Sequence, residues 1–133
     1  MPRFPKVLLA LLVAAFLVVC AKAELVELNA SNFHSVVNNA SKNVFVMFYA
    51  PWCGHCNKMK STWQDLSDKY PITGDVIIAR IDASEHRDIA KEFDVHGFPT
   101  LKFFAKNNKS GKAQYEGPRE LSAFMAYVSA NQQ

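Results

Sequence analysis

From residue 25 onward, apolar residues fall into short blocks that alternate between two periodicities. Residues 44–50, Val-Phe-Val-Met-Phe-Tyr-Ala, are an unbroken apolar run rich in β-branched and aromatic side chains. Such a run reads as a strand covered on both faces, as at the centre of a sheet with helices on either side. Pro51 closes it, having no N–H for the ladder. Residues 75–82, with Val76-Ile77-Ile78-Ala79 at their centre, and residues 100–105 read the same way, and 25–28 is a shorter candidate. Between these blocks the spacing is helical. Phe33, Val36 and Val37 follow Ser31, a candidate N-cap. Met59, Trp63, Leu66 and Tyr70 recur over 53–69 until Pro71 stops them. Ile89 and Ala90 lie between a Ser84 cap and Phe93, and Leu121, Phe124, Met125 and Val128 share one face of 119–131. The polar stretch 106–112 reads as a turn and 114–117 as a short returning strand. The order β-α-β-α-β-α-β-β-α predicts one α/β domain: a largely parallel sheet, helices on both faces, and an antiparallel edge.

Residues 1–23 are of another kind. A basic start (Arg3, Lys6), an apolar run over 7–19, and Ala21-Lys22-Ala23 before Glu24 have the layout of a cleavable secretory signal peptide. The alternative is a retained anchor, but crossing a bilayer takes about 18 or more consecutive apolar residues. This run reaches 15 even with Cys20 and Ala21 counted. Cleavage after Ala23 would leave 24–133 as the domain, free of the membrane and without Cys20.

Half of the residues are hydrophobic and 20% are charged, which excludes a disordered or collagen-like chain. The net charge of +3 resides in the leader, because Arg3, Lys6 and Lys22 precede any acid. Without them twelve basic residues face twelve acidic ones, and the electrostatic footprint of a nucleic-acid binder is missing.

Two cysteines remain after cleavage, Cys53 and Cys56, and a pair so close is a poor structural staple for a domain in an oxidising lumen. Asn-X-Ser acceptors at Asn29, Asn39 and Asn108 suit that compartment. The segment Cys53-Gly54-His55-Cys56 lies where a buried strand gives way to a helix. Unpaired N–H groups and the positive end of the helix dipole there favour a thiolate, so Cys53 is expected to be the nucleophile. Cys56, three residues on and one turn inward, is placed to resolve a mixed disulfide, and His55 adds positive charge beside the pair. A bridge enclosing two residues removes little chain entropy, so exchange is the expected purpose rather than stapling. A closed zinc site would need two more ligands, and the four histidines (His34, His55, His86, His96) are scattered without a paired spacing. Trp52, beside Cys53, is either core or an apolar docking surface.

With Phe48-Tyr49-Ala50-Pro51-Trp52-Cys53-Gly54-His55-Cys56 and the later Gly97-Phe98-Pro99-Thr100, the chain resembles a catalytic domain of the protein disulfide isomerase family, which has the thioredoxin fold. The match covers essentially all of 24–133. Thioredoxins usually carry Gly-Pro between the cysteines, whereas the isomerases carry Gly-His. The resemblance implies a thioredoxin-like central mixed sheet and a thiol–disulfide oxidoreductase or isomerase, with catalytic Cys53, Gly54, His55, Cys56 and Arg119. Arg119 would approach the second cysteine and lower its pKa. Trp52, Phe98 and a cis Pro99 would bind substrate, an extended client hydrogen-bonding the backbone at Phe98. It further implies no cofactor and no metal, and an endoplasmic reticulum or secreted location, since Ala130-Asn131-Gln132-Gln133 is not a retrieval signal. The expected partners of a monomer are cysteine-containing client proteins, with glutathione or an upstream oxidase. From the residues alone, Pro99 also reads as an ordinary trans loop proline and Arg119 as a solvated side chain.

Three positions depart from the family. Met47 stands where a buried glutamate usually accepts the inner cysteine's proton, and Arg80 stands at that glutamate's usual lysine partner, a cation expected to lack its acid. Ser61 replaces a kinking proline, so the helix after the cysteines is expected to run straighter. A different class of function, a binding module holding unfolded chains on Trp52 and Phe98, competes with the enzyme. Client binding that persists in Cys53→Ser would favour it.

Overall fold

Strand and helix alternate along the computed structural model, which describes residues 25–133: β1 (Val26–Leu28), α1 (Phe33–Val37), β2 (Asn43–Tyr49), α2 (Gly54–Asp68), β3 (Val76–Asp82), α3 (Arg87–Glu92), β4 (Thr100–Phe104) and α4 (Leu121–Asn131). The expected signal segment and its cleavage point lie outside the described residues. The sheet order is β1-β3-β2-β4. β1 and β2 run parallel to β3, and β4 runs antiparallel to β2 at the edge.

The unbroken apolar run of β2 is explained by its central place, since successive side chains enter opposite layers. Val44, Val46 and Phe48 pack with Phe33 and Val37 of α1 and Ile89 of α3. Phe45 and Met47 pack with Met59 and Trp63 of α2 and Phe124 of α4. Fully buried Trp63 satisfies its indole N–H by donating to the Ala79 carbonyl at 2.9 Å, which fastens α2 to β3. α2 continues uninterrupted through Ser61.

The structure differs from the sequence expectation in three places. Residues 114–117 form no strand. They contribute one antiparallel bridge, Lys102 to Gln114, flanked by Phe103 N–H to Ala113 O (2.9 Å) and Tyr115 N–H to Leu101 O (2.8 Å). Pro118 has no N–H to extend the ladder, and the Tyr115 hydroxyl folds back onto its carbonyl at 2.6 Å. Second, α4 begins at Leu121 rather than at Arg119. Third, neither expected serine caps its helix. The Asn29 amide oxygen accepts from the backbone N–H and hydroxyl of Ser31, and an Asp82 carboxylate oxygen does the same for Ser84. The stronger acceptor two residues upstream turns each serine into a donor.

The connection after β4 depends on Gly111, whose φ of +73° favours glycine. A Cβ there would come within 2.6 Å of the Phe93 ring and 2.9 Å of the Phe104 ring. Gly111→Ala is expected to cost about 2–4 kcal/mol from backbone strain and overpacking, read as a lowered urea midpoint at unchanged slope.

Candidate active site

β2 delivers the chain at Tyr49 to a tight turn, closed by Cys53 N–H donating to Ala50 O at 3.1 Å, and α2 starts at once. Cys53 is the N-cap of α2, and its Sγ accepts the Cys56 N–H at 3.2 Å. The sulfur thus takes the place that a serine or aspartate oxygen holds at other helix starts. Cys56, inside the first turn, is 3% exposed against 7% for Cys53, and both are free thiols. The Cys53 thiol also faces the Phe98 carbonyl at 3.6 Å. The Phe98–Pro99 peptide bond is cis, in the loop that leads into β4. Trp52, 73% exposed, is no core residue and stands edge-on to Phe98 with ring centroids 5.9 Å apart. His55 and Gly54 are exposed on the first turn, and a Cβ at Gly54 would meet nothing within 4 Å. Arg119 is exposed and, with Pro99, lines a polar recess of about 250 Å³. Among the described residues no group of three or more His, Cys, Asp or Glu side chains is arranged to hold a metal ion.

A model of the thioredoxin family matches residues 24–130. The chain belongs to the thioredoxin family. This domain is 42% identical over 107 residues to protein disulfide isomerase-like 2-2 of Oryza sativa subsp. japonica, and 46% identical over 111 residues to protein disulfide-isomerase 1 of Dictyostelium discoideum. These matches cover 80% and 82% of the chain but only 29% and 30% of the relatives, so it spans less than a third of either. Among solved structures, human ERp44 in its zinc-bound form superposes with a TM-score of 0.72 at 29% identity, covering 83% of this chain and 30% of that one. The first thioredoxin domain of mouse protein disulfide-isomerase A4 gives 0.66 at 32% identity, covering 80% and 74%. The resemblance to protein disulfide isomerases and the thioredoxin fold read from the sequence are borne out by these matches.

Within this thioredoxin domain the two sulfurs differ in their surroundings. Burial, reinforced by the hydrogen bond to Cys53, pushes the Cys56 thiol up to about 12; the Arg119 charge pulls the other way and is the weakest influence. Beside Cys56 opens a cavity of about 210 Å³ lined by Met47, Tyr49, Asn57, Lys60 and Arg80, with no carboxylate on its wall. Arg80 does not lack an acid, contrary to expectation. Its Nε donates to Glu27 at 2.8 Å, because the parallel β1–β3 register sets Glu27 opposite Arg80. The Tyr49 hydroxyl donates to the same carboxylate at 3.2 Å, and the guanidinium carbon lies 5.0 Å from the Tyr49 ring centroid. Burial, then the Glu27 charge, raises the Tyr49 phenol to about 12, so it stays a donor. Sequence reading missed Glu27, Lys60 and Asn57. The first is found only through strand register, while Asn57 and Lys60 lie one and four residues after Cys56 on the same helix.

Proposed function

We propose that the chain is a thiol–disulfide oxidoreductase of the isomerase type, acting on client-protein disulfides in the secretory pathway. The observation that carries this reading is a sulfur serving as helix cap, hydrogen-bonded by the next cysteine's N–H and set against a cis X-Pro peptide. The positive helix end and an N–H bond are surroundings that suit a sulfur nucleophile. Kinship with protein disulfide isomerases supports the client class.

In the reductive direction the Cys53 thiolate attacks a client disulfide, forming a Cys53–client bond and expelling one client thiolate. Cys56 then surrenders its proton and attacks the Cys53 sulfur, closing the Cys53–Cys56 disulfide and freeing the second client thiolate. Two electrons pass to the client. The reverse sequence donates a disulfide. Trp52, Phe98 and Pro99 form the docking surface, and the backbone at Phe98 pairs with the extended client. Arg119 assists ionisation of Cys56 from the Pro99 side.

Cys56→Ala is expected to stop at the first step and accumulate a client adduct at Cys53 that dithiothreitol releases, detected by mass spectrometry after acid quenching. Clients held without a covalent bond would instead favour the binding module. With the Cys56 thiol pushed up to about 12, only a small fraction is ionised at neutral pH. The thiolate fraction grows as pH rises, so release of the second client thiol is expected to accelerate roughly tenfold per pH unit between pH 7 and 9. Stopped-flow release from a preformed mixed disulfide measures this; a flat profile would mean that deprotonation does not limit the step.

A further inference from the structure

Beside Trp52 and Phe98 the surface opens into a second pocket of about 350 Å³. Its floor is apolar, built from Ala83, Ala90 and Val95, and the two aromatic rings form the wall nearest Cys53. The rim is cationic. Arg87 and Lys91 lie one turn apart on α3 and both line the opening, while none of the lining residues carries a carboxylate. Among the described residues neither makes an ion pair. The Arg87 guanidinium holds only the Ser84 carbonyl, through Nε at 3.3 Å, which leaves its terminal nitrogens free to donate. The neighbouring Asp94 carboxylate is engaged by the His96 ring at 2.6 Å, and Glu92 by His34.

We propose that this pocket selects clients, taking an apolar side chain beside the reactive client cysteine while Arg87 and Lys91 engage an acidic residue two positions further along the client. The inference rests on the proposed function and adds the substrate class to it. An extended segment paired with the backbone at Phe98 sends alternate side chains to opposite sides, so one neighbour of the attacked cysteine is directed toward the pocket. Burial of that side chain against Trp52 supplies affinity. The two cations supply choice, since an acidic residue there gains two attractions and a basic one meets two repulsions.

The test separates recognition from chemistry by using peptides with serine in place of cysteine. Each carries one leucine near that serine and, in the two positions beyond the leucine, either two glutamates or two lysines. Binding to the reduced wild-type chain, read by Trp52 fluorescence at low salt, is expected to be about fivefold or more tighter for the acidic peptide. The preference should shrink at high salt, because exposed charges are screened. In Arg87→Glu/Lys91→Glu it should reverse, and in Arg87→Gln/Lys91→Gln it should vanish. Equal binding of the two peptides by the wild-type chain, or an acid preference that survives charge reversal in a folded variant, would overturn the proposal. An acid preference in a chain that oxidises no dithiol would sink the proposed function and leave the pocket standing.

Discussion

Cys53→Ser is expected to abolish dithiol turnover, with a fall of roughly a thousandfold or more. The exchange separates the two duties of this position. As an N-cap, serine is as good as any residue, so its hydroxyl can accept the Cys56 N–H that Sγ accepts now, and α2 should stay capped. As a nucleophile it fails, because a hydroxyl is scarcely ionised at neutral pH and forms no exchangeable bond to sulfur. The variant should therefore melt within a few degrees of the parent while insulin reduction disappears. Retained activity in a folded Cys53→Ser chain would show that the attacking sulfur lies elsewhere.

Met47→Glu should accelerate the resolving step by roughly a hundredfold at neutral pH, the low end of what a positioned base contributes. Met47 is 2% exposed and shares the cavity beside Cys56 with Arg80. At about 210 Å³ that cavity can hold water between a carboxylate and the thiol. At present the nearby Glu27 carboxylate is committed to Arg80 and Tyr49, outside the cavity wall. The substitution also has a structural cost. A carboxylate among Phe45, Met59 and Leu101 should lower stability by about 2–4 kcal/mol, offset in part where Arg80 turns toward it. Met47→Gln is the control, carrying a similar shape and a polar burial cost without the basicity. Steady-state dithiol oxidation and urea unfolding on all three chains decide the matter. A glutamate variant no faster than the glutamine one would mean that the lost proton already has an efficient route.

The elements that position the cysteines were legible because each rests on local chemistry. An apolar run ended by Pro51 and a helical spacing ended by Pro71 leave little freedom for where β2 and α2 fall. The resemblance directed attention to Phe98 and Pro99, whose loop could be placed against Cys53 only by the fold. What escaped depends on register and on competition between acceptors. Glu27 and Arg80 are 53 residues apart and meet only because β1 pairs in parallel with β3. The serine caps are absent because Asn29 and Asp82 accept each serine's own N–H and hydroxyl and so hold it as a donor. Asn43, just before the apolar run, opens β2 fully buried, its amide oxygen accepting from the N–H groups of Lys106 and Gln133. A polar residue reads as surface until its partners, 63 and 90 positions away, are known. The cationic rim of the pocket at α3 escaped for the same reason, since Arg87 and Lys91 are ordinary helix residues until the fold sets them beside Trp52.

The cap at Cys53 links heat to voltage. Capping of α2 by a free sulfur belongs to the dithiol form, so folding and electron uptake are two sides of one thermodynamic cycle. The difference in unfolding free energy between dithiol and disulfide chains equals the difference in reduction potential between the folded pair and the same pair in the denatured chain. Each increment of about 1.4 kcal/mol by which the dithiol form is the more stable corresponds to about 30 mV of added oxidising strength. A calorimeter can stand in for an electrode here, and the sign of the melting difference tells whether the fold drives this pair to give disulfides away or to take them.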